Sequence, residues 1–330
     1  MSIAKITIII LNWNGQEDTI KCLDSVLKID YKNFDVIVVD NGSQDDSITV
    51  INKQFPSVQI IPTGKNLGYA GGNNIGIEAA LKQKADYLLI LNNDTVVAPE
   101  LLTRLYSATK RHPPDTIFGP RIFYAAQPDR IWFSSTRWNS NTLSYDFIGQ
   151  GLTEDDLPSG DINSDYICGA GFFCNTNTFR KIGLFEERFF LVYEESDWCQ
   201  RAARLGSHCI TVSDAKIWHA VASAFGTEES PLRTYFSNRN FLLWTERNIK
   251  KIEHFKLVAL SLRVFIPRVS ISTDRSIPYY KRFLWALTAS TRHWSNPVFR
   301  AKQMGVRDYI LRRFGDCPPS LRKNVAERVI

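Results

Sequence analysis

The sequence predicts an α/β protein built around a mainly parallel sheet. Over the first 120 residues, apolar runs alternate with segments of helical periodicity, roughly every 20 to 30 residues. The runs are apolar throughout rather than at alternate positions, as in strands buried on both faces. Several of them end at clusters of Asn, Asp, Gly and Ser, which are turn residues. Together these features indicate repeated βαβ units.

The first unit has one strand, one helix and a second strand. Ile6–Leu11 is apolar except for Thr7 and predicts the first strand. A helical face follows at i, i+3 and i+7, formed by Ile20, Leu23 and Leu27. Phe34–Val39 predicts the second strand, which ends at the turn residues Asp40-Asn41-Gly42-Ser43.

The alternation continues to about residue 120. In order we predict a helix over Ile48–Gln54 that Asp45 or Asp46 can cap, a strand at Val58–Pro62, a loop at Gly64–Asn74, a helix through Ala79 and Leu81, a strand at Tyr87–Leu91, and a helix from about Pro99. The pattern breaks down over 121–165, which is rich in aromatic, Ser and Asn residues and predicts irregular hairpins or an insertion over the site. It resumes with an extended segment at Tyr166–Phe173, a helix from about Glu195 to Leu205, and short strands at Cys209–Val212 and Ala215–Trp218.

Composition excludes several classes of protein. The 330 residues are 44% apolar and 22% charged, which excludes collagen, a disordered chain and a disulfide-stapled miniprotein. No run approaches the roughly 18 apolar residues of a membrane-spanning helix. The six cysteines are scattered and predict reduced thiols rather than disulfides. Met1–Leu11 has no basic region before its apolar run, so we expect a first strand rather than a secretory signal, and a cytoplasmic protein.

The net charge of +6 conceals two unlike regions. Residues 231–330 carry 20 Lys and Arg against 6 Asp and Glu, a balance of +14, whereas residues 1–230 balance at −8. We expect a catalytic domain over 1–230 and a basic helical region over 231–330 that meets a polyanion. No recognised nucleic-acid-binding motif accompanies the basic region, so we expect no nucleic acid partner.

Three polar loops are predicted at one edge of the sheet. They follow the first, second and fourth strands, and they are Asn12-Trp13-Asn14, Asp40-Asn41-Gly42-Ser43 and Asn92-Asn93-Asp94. Ligands of open parallel sheets bind outside the carboxyl ends of the strands. We therefore expect the site at this edge.

The residues alone leave each chemical role open. The Gly64–Asn74 loop can receive a phosphate on its amides, or it is only a turn that needs glycine. Asp94 can hold Mg²⁺ or Mn²⁺ together with substrate phosphates, or it caps the helix near Pro99. The acidic cluster of Glu194, Glu195 and Asp197 can supply a base, or it caps its own helix. His219 alone is ambiguous.

Taken together, these motifs resemble a family 2 glycosyltransferase of the GT-A fold, in its rhamnosyltransferase-like branch. They occur in family order over about 1–225. They are Ile10–Gly15, Val38–Ser43, Asn66–Asn73, Leu91–Asp94, Cys168–Gly171, Gly183–Glu186, Tyr193–Trp198 and Trp218-His219.

The resemblance implies a role for each position. The pyrimidine of a dTDP- or UDP-sugar would bind to Asp40, in a pocket lined by Leu11, Asn12 and Asn14. Ribose and diphosphate would lie against Asn66, Gly71, Gly72 and Asn73. The Asp-x-Asp metal motif falls on Asn92, Asn93 and Asp94, so Asn92 replaces one carboxylate, and His219 would complete the Mg²⁺ or Mn²⁺ site.

The same resemblance implies a single inverting displacement. Glu195 stands at the catalytic base and Glu194 at its neighbour, so the pair departs from the family's Glu-Asp. Glu194 and Asp197 are expected to contact the acceptor or to cap the helix. A non-catalytic nucleotide-sugar-binding module is the alternative function.

The branch implies a rhamnose donor and a glycan or polyprenyl-diphosphate-linked acceptor of surface polysaccharide synthesis. Such an acceptor suits a peripheral position on the cytoplasmic face of the membrane. The basic C-terminal region mixes cations with large apolar side chains, as helices lying on anionic membranes do, or it only packs as a helical subdomain. The cations are Arg263, Arg268, Lys281, Arg282, Arg292, Arg312 and Arg313, and the apolar residues are Leu257, Phe265, Phe283, Leu284, Trp285, Trp294 and Phe314.

Overall fold

A computed structural model describes residues 3–221, 230–266, 278–282 and 296–326. The chain divides into two compact units, Met1–Ser223 and Ala224–Ile330. Six residues of the expected membrane-contacting set lie outside the described residues: Arg268, Phe283, Leu284, Trp285, Arg292 and Trp294.

The first unit contains twelve strands and six α-helices within its described residues. The strands are β1 (Ile6–Asn12), β2 (Phe34–Asp40), β3 (Gln59–Pro62), β4 (Tyr87–Asn92), β5 (Thr95–Val97), β6 (Ile117–Tyr124), β7 (Gln127–Phe133), β8 (Ser135–Asn139), β9 (Ser144–Ile148), β10 (Asp161–Ser164), β11 (Gly171–Asn175) and β12 (Cys209–His219). The helices are α1 (Gln16–Val26), α2 (Ser47–Gln54), α3 (Gly68–Lys82), α4 (Leu101–Ala108), α5 (Thr176–Ile182) and α6 (Glu194–Ala203).

The central sheet is mostly parallel, as predicted. Its main path runs β10-β12-β6-β11-β4-β1-β2-β3, and β5 and β7 pair with β12 and β6. The pairs of β1 with β2 and β4, of β2 with β3, and of β6 with β12 are parallel. Inserted between β4 and β6, strand β11 runs antiparallel to both. The six strands β3, β2, β1, β4, β6 and β12 therefore point the same way, and their carboxyl ends share one edge.

Each face of the sheet is covered by helices. Ile8 and Ile10 of β1 pack with residues of α1, α2 and α4. Ile9, which points to the opposite face, packs with residues of α3, α5 and α6. Successive strand residues thus enter opposite cores, which explains why β1 is apolar on both faces, at Ile6 and at Ile8–Leu11.

Three local predictions differ from the structure. The predicted loop over Gly64–Asn74 is helical from Gly68 onward. The two strands expected over 209–218 are one strand, β12, with a register irregularity between Val212 and Lys216. The stretch 121–165 contains ordered strands, and β8 and β9 form a separate antiparallel hairpin.

The second unit is helical in its described residues. Its helices are α7 (Pro231–Asn248), α8 (Lys251–Ser261), α9 (Pro297–Ile310) and α10 (Pro319–Ala326), and a 3-10 turn at Leu262–Phe265 follows α8. Gly305 of α9 packs directly on the backbone of α7, since a Cβ there would lie 2.6 Å from the Tyr235 carbonyl oxygen. None of the helices in the described ranges has both the length and the apolar character to cross a bilayer.

Candidate active site at the carboxyl edge of the sheet

Asp40 and Asn12 end two neighbouring strands and bond to each other. The β1–β2 register places Asn12 opposite Asp40, and Asn12 Nδ2 donates to Asp40 Oδ1 over 3.0 Å. The second carboxylate oxygen accepts the backbone N–H of Ser43, and both side chains are buried. Asn12 Oδ1 accepts from the Thr19 hydroxyl. Asn12 therefore fixes the orientation of Asp40. Asn14, by contrast, is exposed to solvent.

Asn41 connects the second strand to the start of α3. Its Nδ2 donates to Asn66 Oδ1 and to the Gly68 carbonyl, and its Oδ1 accepts the Leu67 N–H. Asn66 Oδ1 also accepts the Gly68 N–H. The amides of Leu67 and Gly68 thus already have protein acceptors, so few donors at this helix start are left for a phosphate.

The glycines expected to lie against ribose and diphosphate are buried within α3. A Cβ at Gly72 would lie 2.4 Å from Leu11 Cδ1, and one at Gly76 would lie 2.4 Å from Ile9 Cγ2. Asn73 is buried as well, and its Nδ2 donates to the Tyr69 carbonyl one turn earlier. In this structure Gly72 and Gly76 allow α3 to pack closely on β1, whereas a Cβ at Gly71 would meet Leu67. The contact of Gly71, Gly72 and Asn73 with the donor stays a prediction.

Asp94 and His219 meet at the end of β4. Asp94 is in the turn between β4 and β5, and β5 pairs with the end of β12, which places Thr95 opposite His219. His219 Nε2 lies 3.0 Å from Asp94 Oδ1 and 3.4 Å from Asn92 Nδ2. The N-cap of α4 is Glu100, so Asp94 does not cap that helix. Asn93 turns toward α1 and donates to the Thr19 hydroxyl.

This pair fits a divalent cation that also binds substrate phosphates. The side chains of Asp94 and His219 are 9% and 8% exposed. The described residues contain no cluster of three His, Cys, Asp or Glu side chains that could hold a metal ion. One carboxylate and one imidazole are the small donor set that Mg²⁺ or Mn²⁺ uses when phosphates and water complete its coordination.

Glu194 and Glu195 begin α6 after a strained turn. Phe190, Val192 and Tyr193 all have positive φ, at 64°, 72° and 82°. Such backbone is costly for residues other than glycine and is concentrated at functional sites. The turn places the acidic pair at the start of α6, and the side chain of the N-cap residue makes no capping hydrogen bond to the helix.

Burial makes the acidic pair more basic than ordinary glutamates. It raises the pKa of Glu195, although the backbone N–H of Gly169 bonds this carboxylate. Burial and the charge of Glu195 raise the pKa of Glu194. One carboxylate oxygen of each, Oε2, is shielded and has no hydrogen-bond partner in the described part of the chain. A carboxylate in this condition gains a proton readily, as a general base must.

Cys168 links the acidic pair to the Asp94–His219 pair. Burial raises the pKa of the Cys168 thiol, and the charges of Glu195 and of Asp94 raise it further. The N–H of the next residue, Gly169, bonds the Glu195 carboxylate, and the carbonyl of Ala170 accepts the N–H of Asn92, which neighbours His219. The loop that begins at Cys168 therefore contacts both groups.

Asp197 does not belong to this site. It was expected to contact the acceptor or to cap the helix, but its side chain is 0% exposed and pairs with Arg201 at 3.1 Å. Arg201 also donates to the carbonyls of Ile182 and Leu184. The Asp197 carboxylate therefore joins α6 to the segment after α5 and does not contact an acceptor.

Three contributors to the site were missed in the sequence. Trp132 of β7 packs its ring edge-on to His219 at 4.6 Å between centroids. Burial and the charge of Asp94 raise the pKa of Asp18 in α1. Tyr69 donates its hydroxyl to the Gly169 carbonyl, which supports the loop beside Glu195. Trp132 and Asp18 lie in none of the recognised motifs, and Tyr69, although it lies within Asn66–Asn73, acts on a residue 100 positions away.

Comparison with known families gives one match over more than half of the chain. The model of the family described as Glycosyl transferase family 2 matches residues 7–183.

Two relatives have names that mention rhamnose. An N-acetylglucosaminyl-diphospho-decaprenol L-rhamnosyltransferase of Mycobacterium tuberculosis is 26% identical over 219 residues, covering 58% of this chain and 68% of its own. The dTDP-rhamnosyl transferase RfbF of Shigella flexneri is 24% identical over 289 residues, covering 84% and 92%.

Two solved structures share the fold. One is GalNAc-T7 with UDP, GalNAc and Mn²⁺, at a TM-score of 0.61 and 14% identity, covering 89% of this chain and 58% of that chain. The other is the mannosyltransferase PcManGT of Pyrobaculum calidifontis with GDP-Man and Mn²⁺, at a TM-score of 0.54 and 14% identity, covering 93% and 86%.

Proposed function

The chain belongs to glycosyl transferase family 2 and has the GT-A fold, and we propose that it is an inverting glycosyltransferase of surface polysaccharide synthesis. It moves a sugar, rhamnose in this proposal, from a nucleotide-diphospho-sugar to a hydroxyl of a glycan or lipid-linked glycan. The observation that carries the proposal is the Gly169–Ala170 loop, whose Gly169 N–H bonds the Glu195 carboxylate and whose Ala170 carbonyl accepts the N–H of Asn92, beside the Asp94–His219 pair.

The donor binds at the ends of β1 and β2. Asp40, held by Asn12 and by the Ser43 N–H, is the group that recognises the pyrimidine of a dTDP- or UDP-sugar. Leu11 and Asn14 flank it, and Asn66 lies on the path toward the diphosphate. The choice of rhamnose is supported by the names of the Mycobacterium tuberculosis and Shigella flexneri relatives.

Glu195 is the base in this proposal. Its raised pKa suits removal of the proton from an acceptor hydroxyl, which then attacks the anomeric carbon from the face opposite the diphosphate. The C–O bond to the diphosphate breaks as the new glycosidic bond forms, so the anomeric configuration inverts. Glu194, with its own raised pKa, holds the acceptor beside the base.

Asp94 and His219 are the residues that would hold Mg²⁺ or Mn²⁺, with Asn92 and Asn93 beside them. When bound, the cation neutralises charge that develops on the departing diphosphate. The two solved structures with Mn²⁺ support this use of a divalent cation.

The acceptor in this proposal is a glycan or a polyprenyl-diphosphate-linked glycan. The Mycobacterium tuberculosis relative, whose name includes a diphospho-decaprenol, supports a lipid-linked one. A lipid-linked acceptor requires the enzyme to work at a membrane surface, and we place it on the cytoplasmic face.

Product release tests the proposal against a binding module. The protein is incubated with Mn²⁺, a truncated water-soluble acceptor and each of dTDP-rhamnose, UDP-N-acetylglucosamine and UDP-glucose, and free nucleoside diphosphate is measured. We expect release with dTDP-rhamnose that the Glu195→Gln variant loses. Nucleotide binding without release from any donor would favour the non-catalytic module instead.

A further inference from the structure

Helix α8 presents an apolar face to solvent. The side chains of Ile252, Phe255 and Leu260 are 62%, 65% and 53% exposed, and Ala259 is exposed between them. Ile252, Phe255 and Ala259 are three and four residues apart and so lie on one side of the helix, and Leu260, eight residues after Ile252, lies at the edge of that side. An exposed apolar stripe of this length is unusual for a soluble surface and marks a site of interaction.

The opposite side of α8 is the one that packs on the protein. His254 is buried there, with Nδ1 3.0 Å from the Thr245 hydroxyl of α7 and Nε2 2.9 Å from the Tyr309 hydroxyl of α9. Helix α8 is therefore held in place by polar contacts from its inner side. Leu257 and Val258 are half-buried, whereas Ile252, Phe255 and Leu260 point outward.

Positive charge accompanies the exposed stripe. Lys256, four residues after Ile252, lies within the same face, Lys250 and Lys251 precede it and Arg263 follows α8, whereas Glu253 is the one acidic residue between 250 and 266. The stripe continues past the helix, since Leu262, Phe265 and Ile266 are also exposed. Apolar side chains flanked by lysine and arginine complement a surface that has hydrocarbon beneath anionic headgroups.

We propose that the outward face of α8 is the surface by which this enzyme lies on an anionic lipid bilayer. Ile252, Phe255 and Leu260 enter the interface while Lys256 and Arg263 bind lipid phosphates. Since α8 has 11 residues, the helix lies in the plane of the membrane and does not cross it. The proposal rests on the proposed function in one respect: the lipid-linked acceptor is the reason why the enzyme would work at a membrane.

Sedimentation with vesicles tests this surface through two matched variants. Leu260→Glu places a carboxylate in the stripe, and Leu205→Glu makes the same change at a leucine with nearly equal exposure, 50%, just beyond α6. We expect the wild type and Leu205→Glu to sediment with phosphatidylglycerol-containing vesicles and not with pure phosphatidylcholine. Leu260→Glu and Phe255→Glu should bind the anionic vesicles about tenfold more weakly or worse. Added salt should weaken the wild-type binding, because it screens the lysines and arginines.

Three outcomes would overturn the proposal. They are equal recovery in the supernatant with both vesicle types, equal losses for Leu260→Glu and Leu205→Glu, and a dimer of the wild type that Leu260→Glu dissociates. Release of nucleoside diphosphate with a water-soluble acceptor is measured on the same proteins. Turnover without vesicle binding rejects this surface alone, whereas vesicle binding without turnover rejects only the proposed function.

Discussion

At the scale of single residues, the chemistry of the site depends on charge held away from water. Glu194 and Glu195 are adjacent, and one carboxylate oxygen of each is shielded from solvent. The Asp94 carboxylate contacts the His219 imidazole. Each of these groups is expensive to bury, because its carboxylate exchanges water for a few protein donors. That cost is the expected mark of residues retained for function rather than for stability.

Glu195→Gln should lower turnover by at least about a hundredfold while nucleotide binding is retained, because the amide cannot accept the acceptor proton. The raised pKa of Glu195 also places the acid limb of the wild-type rate profile above the value of about 4.3 that is ordinary for glutamate. Turnover should rise as the pH passes through that raised pKa, because only the ionised carboxylate is a base. Measuring kcat against pH checks both points. Glu194→Gln should cost less, and the reverse order would assign the base to Glu194.

Asp94→Ala should remove the dependence on divalent cations together with most of the turnover. The reason is that His219 alone offers no anionic ligand. Mn²⁺ titrations of the chelator-treated enzyme, read as released nucleoside diphosphate, measure the effect. Glu100→Ala, at the N-cap of α4, is the control and should keep the wild-type Mn²⁺ response. Full wild-type activity in excess chelator would exclude a role for the cation.

At the scale of elements, the position of α3 depends on its glycines. They oppose helix formation intrinsically, since glycine costs about 1 kcal/mol relative to alanine in a helix interior. Two of them, Gly72 and Gly76, face β1 and bring α3 against Leu11 and Ile9. Tertiary packing therefore overrides helix propensity in this segment.

Gly76→Ala should destabilise the protein by about 1 to 3 kcal/mol, even though alanine is the better helix former. The added methyl would lie 2.4 Å from Ile9 Cγ2 in the core, and overpacking of this kind has such a cost. Urea unfolding of the variant measures it. Glu78→Ala, at an exposed position of the same helix, should be nearly neutral. A Gly76→Ala variant more stable than the wild type would contradict the close packing of α3 on β1.

At the scale of the whole molecule, each unit contains a glutamate with a shifted pKa, and the pKa values of the two are shifted in opposite directions. In the first unit, burial raises the pKa of Glu194. In the second, burial of Glu246 is outweighed by hydrogen bonds from Arg312 and Tyr309, so its pKa is lowered. The first arrangement costs stability at neutral pH, and the second contributes to it.

Opposite pH dependence of stability follows from these two glutamates. The folded chain holds the Glu194 proton more tightly than the unfolded chain, so stability is lost as the pH rises from about 4.3 through the raised pKa. Glu194→Gln should therefore raise the unfolding temperature at neutral pH and have little effect at acid pH. Glu246→Gln should lower it at neutral pH, and that loss should disappear as the pH falls through the lowered pKa of Glu246. Thermal unfolding between acid and neutral pH compares them, and equal responses of the two variants would refute the assignment.

The sequence by itself determined the frame of the protein. Apolar runs such as Ile6–Leu11 can be buried only as strands between two helical layers, and the polar turns after them belong at one edge of a parallel sheet. Asp40, Asp94 and Glu195 could be singled out for this reason, because each one is local to a recognisable strand end or helix start.

The tertiary structure decided what depends on distant partners. Asp197 and Glu194 stand three residues apart in one acidic cluster, yet Arg201 neutralises the first and no cation reaches the shielded oxygen of the second within the described residues. The predicted glycine-rich loop is helical from Gly68 because its glycines allow close packing on β1. Asp94 does not cap a helix, because the pairing of β5 with β12 places it beside His219. The outward face of α8 has the same origin: Ile252, Phe255 and Leu260 are side chains of the kind that form a core, but the side of α8 that packs on the protein is the one with His254, which bonds α7 and α9. Local patterns record what a residue prefers, whereas burial and charge pairing are properties of neighbours that the chain brings together only on folding.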